Sequence, residues 1–392
     1  MILYITHTFS GIHGLVYGEA TDATGRPGFT EPYKFISAHE DIKVLLLAPE
    51  KPRFSDNTLG WNDNNVIFIK YRKGSPWQIF DEIKSFVKTV WMCKVLAPKF
   101  IYCHGAISYA GLIAGRILGI KTGLRLYGTF LVDVINSPIS VKRAIRFLQH
   151  WREIFAMKIP KAFVLMLNDG TRGNEALRYF NAERKSNVYF WLNGVDYAQN
   201  NVTSEYTNSS ELIYPARITP WKRQDRALTF FKEALRVEPN LKLSFVGKIQ
   251  SKEYFEDVMQ FVKDHNLEAN VTFRGEIPQK ELAELMVESL GVLSFYDVAN
   301  LGNVAIECLS LGGCLIALDD GSLNGIISNG INGHVVSSSS DFGKVIKSLI
   351  SSSQLREDIA DNARISSRKL FNNWPERSLR EYDLIKSNIG DN

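Results

Sequence analysis

"NLGNVAIECLSLGGCLIALDDG", residues 300–321, runs from a glycine turn through about three helical turns into an apolar strand that ends in two aspartates. The residues before it, 290–296, read as another apolar strand. Strand, turn, helix and strand in that order make a crossover unit, and crossover connections build parallel sheets. Working outward, strand-length apolar runs alternate with helical patterns along the chain. The first series of expected strands is 1–6, 42–48, 65–71, 100–103, 122–127, 162–168 and 187–192. The second is 211–216, 241–246, 270–274, 290–296, 314–319 and 333–337. Helices fit between them at 79–96, 106–118, 140–156, 222–236, 254–265, 279–288 and 303–312. So many strands exceed one ordinary sheet, and the polar stretch "DYAQNNVTSEYTNSSE" (196–211) interrupts the series. The reading is α/β: two doubly wound domains joined near residue 200, with chemistry in the loops that follow strands.

Bulk properties narrow the classes. The 392 residues suit two domains. No apolar run is long enough to span a bilayer, and "MILYITHTFSG" reads as a first strand, not a leader. Four cysteines without CxxC spacing fit reduced thiols in a cytoplasmic protein. The net charge of +4 hides an asymmetry: residues 1–200 hold 25 Lys+Arg against 16 Asp+Glu, the remainder 21 against 26. No carboxylate occurs between Glu82 and Asp133. That basic half is either an ordinary solvated surface or a face that meets something anionic.

Two constellations carry chemistry. On a helix opening at Gly302-Asn303-Val304, Asn303, Glu307 and Ser310 share a polar face, opposite Val304, Ala305, Cys308 and Leu311. Glycine in the first turn admits a ligand close to the backbone, and free N–H groups at the dipole's positive end suit an anion. Glu307, a turn deeper, could accept hydrogen bonds from a vicinal diol such as a ribose; the bland alternative is a solvated helix face. In "PARITPWKRQDRAL" (215–228), Arg217 closes a strand and Lys222 opens a helix, where a lysine is unfavourable unless an anion compensates. A diphosphate fits, with Arg as a planar fork and Lys as a point charge; a basic loop paired with Asp225 is the alternative. There is no Asp-x-Asp, HxH or HExxH, so no metal site is expected. The loop "FSGIHG" (Gly11, Gly14) either admits substrate or simply turns the chain.

These pieces in this order resemble the retaining nucleotide-sugar glycosyltransferases of family 4, which have the GT-B fold. The resemblance rests on "NGVD" (193–196), "ARITPWK", "SFVGK" (244–248), "VTFRGEIPQKEL" (271–282), "NLGNVAIECLSLGGCLIA", "NGINGHVV" (329–336) and a Trp374…Glu381 helix. More loosely, it extends to "KFIYCHGAISYAGLIAGRILGIKTGLRLYGT" in the first half. It implies two facing Rossmann-like domains with the active site in the cleft between them. The acceptor domain would be 1–197, braced by a helix at 374–392, and the donor domain 205–373. Arg217 and Lys222 would hold the diphosphate, Gly302, Asn303 and Val304 would meet phosphate, Glu307 the ribose, and Ile277 the base. His104, at a strand end, would be a cleft histidine, with a hydrogen-bonded turn residue as the alternative. The implied reaction is metal-independent and cofactor-free. It moves a sugar, with retention, from a nucleotide diphosphate sugar (UDP favoured) to a saccharide or lipid-linked saccharide. The setting would be bacterial surface polysaccharide (O-antigen, capsule or lipopolysaccharide) assembly.

Two departures and one surface complete the reading. Ala299 stands where the family has a second glutamate, with Asp297 two residues earlier as a substitute, and Tyr127-Gly128 stands where many members have His-Gly. Ala299 supports the rival reading, a catalytically impaired nucleotide-sugar-binding protein of the same fold. Within the helix at 79–96, Lys84, Lys88, Trp91, Met92 and Val95 share a sector. The stretch 140–161 mixes Lys142, Arg143, Arg146, Arg152, Lys158 and Lys161 with Phe147, Trp151 and Phe155. Basic and aromatic residues together suit an anionic membrane surface on the inner face of the plasma membrane, or an ordinary core face with a solvated cationic one. No nucleic-acid reading motif is present.

Overall fold

Residues 1–9, 11–21, 27–72, 77–197 and 209–389 are described by a computed structural model of the chain. They divide into two compact units, Met1–Gly194 with Trp374–Asn392, and Val195–Asn373.

The first unit is built on seven parallel strands: β1 (Ile2–His7), β2 (Ile42–Ala48), β3 (Val66–Lys70), β4 (Phe100–His104), β5 (Thr122–Leu126), β6 (Phe163–Leu167) and β7 (Asn187–Trp191). Their order is β3-β2-β1-β4-β5-β6-β7, with Ile2 opposite both Ile42 and Phe100. Central strands of a parallel sheet are covered on both faces, which is why "ILYI" carries no polar residue. Side chains nevertheless alternate. Leu3 and Ile5 pack beneath the helices Gln78–Leu96, Tyr109–Leu118 and Trp151–Lys158, whereas Ile2 and Tyr4 join the cluster containing Phe29 and Tyr33 of helix Pro27–Ser37 and Leu384 and Ile385 of helix Trp374–Ile389.

That last helix is anchored by charge. Glu381, fully buried, accepts hydrogen bonds from Tyr102 Oη (2.6 Å), Arg377 Nη1 (3.1 Å) and Arg125 Nη1. Arg377 Nε also donates to the carbonyl of Leu192 (2.9 Å), and its guanidinium lies 4.8 Å from the Trp191 ring centroid.

The second unit has six parallel strands: β8 (Glu211–Pro215), β9 (Lys242–Val246), β10 (Val271–Gly275), β11 (Gly291–Ser294), β12 (Leu315–Leu318) and β13 (His334–Val336). Their order is β10-β9-β8-β11-β12-β13. Each sheet reverses its winding direction once, between β1 and β4 in the first and between β8 and β11 in the second. A doubly wound sheet receives ligands at the carboxyl ends of the strands beside that reversal.

Two boundaries differ from the sequence reading. The division falls at Gly194/Val195 rather than at 197, because Val195 pairs with Asn373 and Tyr197 Oη donates to the carbonyls of Ser367 and Phe371. The expected start of the second domain, at 205, lies outside the described residues. The single helix expected over 140–156 is two, Val141–Gln149 and Trp151–Lys158, because the chain leaves helical geometry at His150 (ψ 11°), whose N–H reaches the carbonyls of Arg146 and Phe147.

Candidate functional site

In the second unit the carboxyl ends of β8 and β11 carry both constellations. Two buried tyrosines lace these ends together. Tyr214 Oη donates to the carbonyl of Lys222 (2.6 Å) and accepts from the Phe295 N–H (3.2 Å), and Tyr296 Oη donates to the carbonyl of Pro215 (3.1 Å). Gln224 Nε2 holds the carbonyl of Arg217 (3.0 Å). Gly247, at φ +146°, lets β9 pass so close that a Cβ there would lie 2.4 Å from the Ala216 carbonyl oxygen. The backbone bearing Arg217 and Lys222 is therefore fixed from three sides.

The two cations are held differently. The Lys222 ammonium lies 3.3 Å from the ring centroid of Tyr296 and 3.9 Å from that of Trp221, a cation–π seat that ties the β8 loop to the end of β11. Arg217 extends into solvent. Beside them are two arginines that the sequence reading left aside. Arg223, in the left-handed region at φ +52°, bonds Asp225 and, through Nη1, Asp297 (2.9 Å). Arg226 Nη2 reaches the same Asp297 oxygen at 2.5 Å, while its Nη1 caps the carbonyls of Phe295 and Tyr296. Asp297, a candidate donor-binding carboxylate, is thus already neutralised by two guanidinium groups. Burial alone would raise the pKa of Asp225, but hydrogen bonds from Arg223 and Tyr254 outweigh it and hold the carboxyl below its ordinary value.

Past β11 the chain is pinned by Asn300, which is fully buried. Its Oδ1 accepts from Ser294 Oγ and the Tyr296 N–H (both 3.0 Å), and its own N–H donates to Asp320 Oδ2 (3.0 Å). Ala299 adopts φ +68°, an unusual conformation for a residue with a Cβ and one that concentrates at functional sites. Helix Asn303–Leu311 then begins with Gly302 as its N-cap, in extended backbone, without a side-chain cap. A Cβ on Gly302 would meet only the Ala299 carbonyl, at 3.4 Å, so the approach to Asn303 and Val304 is open.

Glu307 stands one turn inside that helix. Desolvation pushes its carboxyl up to about 7, opposed by a hydrogen bond from Gln279 Nε2 (3.1 Å). Gln279 opens the helix that follows Ile277, so the loop after β10 and the carboxylate are joined directly. Ser310, placed on the polar face with Glu307 by the sequence reading, is buried, and its hydroxyl donates to the Glu307 carbonyl of its own helix.

The remaining candidates lie at the reversal of the first sheet. Gly11 is buried in the turn after β1. His104, at the end of β4, is enclosed instead of offered to a ligand. It is 2% exposed, stacked 4.8 Å from Tyr4, with Nδ1 2.8 Å from Tyr127 Oη. Burial, then the Arg125 charge, lowers its pKa well below the ordinary value, which leaves the imidazole neutral. Tyr127, the residue standing where a histidine was expected, is its hydrogen-bond partner. Among the described residues no group of three His, Cys, Asp or Glu side chains could hold a metal, and no helix is long and apolar enough to cross a membrane.

Residues 198–366 match the family model described as "Glycosyl transferases group 1". The match falls within the second unit, and both constellations lie inside it. No curated protein matches the chain in sequence. Among solved structures, the chain is similar to HepE of Anabaena in complex with UDP, at 17% identity and a TM-score of 0.68, covering 98% of this chain and 99% of that one. It is also similar to sucrose-phosphate synthase from Thermosynechococcus elongatus, at 16% identity and a TM-score of 0.70, covering 98% of each. A glycosyltransferase from Rickettsia africae aligns at 16% identity and a TM-score of 0.66, again covering 98% of each. These likenesses are of fold: two Rossmann-like parallel-sheet domains, as in GT-B glycosyltransferases.

Proposed function

We propose that this chain is a retaining glycosyltransferase that takes a sugar from a nucleotide diphosphate donor, UDP-linked, and passes it to a saccharide or lipid-linked saccharide of a bacterial surface polysaccharide. One observation carries the reading. At the winding reversal of the second sheet, Lys222 is seated on Tyr296 beside Arg217, and the strand at the other side of the reversal leads into an uncapped, glycine-opened helix with Glu307 inside it.

In this reading the helix N-terminus receives a phosphate and Glu307, steadied by Gln279, accepts from the ribose hydroxyls. Arg217 and Lys222 stabilise charge on the departing diphosphate. Lys222, seated on two rings, need not reorganise as the bond breaks, which is its advantage over water. The bond from the anomeric carbon to the phosphate oxygen breaks while the acceptor oxygen bonds the same face of that carbon. The acceptor's proton passes to the leaving phosphate, so neither a protein nucleophile nor a metal is called for. Support comes from the match to the group 1 domain and from the UDP held by HepE.

The test is transfer from a panel of UDP-sugars, after a thermal-shift comparison of UDP, GDP, ADP and CMP selects the base. Lys222→Ala and Arg217→Ala should each lose about 10²–10³ in rate with the chain still folded, Arg217→Ala without a change in melting and Lys222→Ala with the small loss of its ring contacts. Undiminished turnover in both variants refutes the diphosphate assignment. The second reading, a nucleotide-sugar-binding protein without transfer, is favoured by Ala299; it predicts a UDP-sugar thermal shift with neither transfer nor donor hydrolysis.

A further inference from the structure

Helix Gln78–Leu96 covers the first sheet with one side only. Met92, Cys93, Ser85 and Thr89 face inward, so Met92 is separated from Lys84, Lys88, Trp91 and Val95, with which the sequence reading grouped it. The outward side carries Phe80, Ile83, Val87, Trp91 and Val95, each 58–59% exposed, spaced at helical intervals along nearly the whole element. Isolated exposed apolar residues are ordinary, but a continuous stripe with two aromatic rings marks a contact surface. Ile83, Val87 and Trp91 line a shallow apolar groove flanked by Lys84 and Lys88.

The charges on this helix are sorted by side. Its cations Lys84, Lys88 and Lys94 are on the exposed side. Its carboxylates are turned in: Asp81 is paired with Arg72, while Glu82 binds Arg152, Tyr71 and Tyr109. The outward face is thus apolar and cationic, with no carboxylate of its own. Helix Val141–Gln149 repeats the arrangement. None of its residues is buried, and Val141, Ile145 and Leu148 form an exposed stripe beside Lys142, Arg143 and Arg146, with Ile139, 94% exposed, just ahead. Phe147 packs on the same core cluster as Met92 and Cys93, so both helices cover the same face of the sheet.

We infer that this face of the first unit docks on an anionic lipid bilayer, the apolar stripes entering the headgroup boundary and the lysines and arginines meeting lipid phosphates. A second copy of the chain is a poorer occupant. A twofold contact places the same patch on itself and would bring lysine against lysine with no carboxylate to answer it. The inference does not depend on the glycosyl-transfer reading, which concerns the second unit.

The test is co-sedimentation of the full chain with vesicles of phosphatidylcholine alone and of phosphatidylcholine mixed with phosphatidylglycerol. The protein should bind the mixed vesicles, more weakly as salt rises, and leave the neutral ones. Lys84→Glu and Lys94→Glu should each weaken binding at least roughly fivefold, the factor for one lysine near such a surface. The triple variant Phe80→Ser, Val87→Ser, Trp91→Ser should lose binding with an unchanged melting transition, since all three side chains are exposed. Failure to bind either vesicle, equal binding to both, or binding that survives the triple variant overturns the inference. So does a dimer in sedimentation velocity that the triple variant abolishes.

Discussion

Replacing Glu381 with glutamine removes the one carboxylate that serves two enclosed guanidinium groups. Arg125 is 1% exposed, Arg377 2% and Glu381 0%. Burial, then the nearby Arg125 charge, already pushes the Arg377 guanidinium below its ordinary value, so the cluster tolerates its cations only through Glu381. Breaking a buried pair from one side costs about 3–5 kcal/mol, because the remaining charge stays desolvated. For a unit of this size that corresponds to a fall in melting temperature of about 6–20 °C. The measurement is calorimetry with tryptophan fluorescence, since Trp191 lies under both Arg377 and Arg380 and reports the first unit. Lys386→Met is the control. Its bond to Glu40 is solvent-exposed and should be worth no more than about 1 kcal/mol. If Glu381→Gln melts within a degree or two of that control, the enclosed charges are not balanced in the way described.

Other outcomes follow from the second unit. Glu307 has its carboxyl raised from 4.5 to about 7. Between those values the folded chain holds a proton that the unfolded chain has lost, so stability should fall as pH rises through that window. Glu307→Gln should flatten that slope in a pH series of melting curves; an unchanged slope refutes the assignment. If ribose hydroxyls donate to the ionised carboxylate, as proposed, UDP-sugar affinity measured by calorimetry should rise with pH through about 7, and Glu307→Gln should remove the trend. Gly247→Ala should cost at least about 1–3 kcal/mol and abolish the nucleotide thermal shift, because its Cβ would displace the Ala216 carbonyl next to Arg217. A wild-type shift in that variant refutes the tight crossing.

The strands were legible because buried parallel strands leave an unmistakable print: short runs such as "ILYI" and "VLLLA" with no charged residue. Helices were less so. Pro27–Ser37 contains Pro32, which reads as a breaker. The run of serines at 337–340 has no apolar periodicity, yet Ser338 is the N-cap of helix Ser339–Ser351 and accepts from the Asp341 N–H. At the site, the glycine-opened helix and the Arg217–Lys222 spacing are local patterns and could be read directly. Arg223, Arg226, Gln279 and Asn300 could not, because their roles lie in partners up to 74 residues away: Asp297 for Arg223, Glu307 for Gln279. For His104 the strand-end position left a cleft histidine and a hydrogen-bonded structural one both open, and only the surrounding rings of Tyr4, Phe29 and Tyr102 reveal the enclosure.

The N–H of Val195 donates to the carbonyl of Asn372 (3.0 Å), and the polypeptide re-enters the first unit at Trp374, packed so closely on Gly194 that a Cβ there would clash. In genealogical terms the second unit is an insertion whose two ends meet. Its residues are contiguous and can collapse as they leave the ribosome. The first unit, although begun earlier, must wait for the last helix to deliver Glu381 to the Arg125 guanidinium, made 256 residues before. The half of the molecule synthesised first is the half that matures last, and a nascent chain stalled before residue 381 would hold it open with Arg125 lacking its carboxylate.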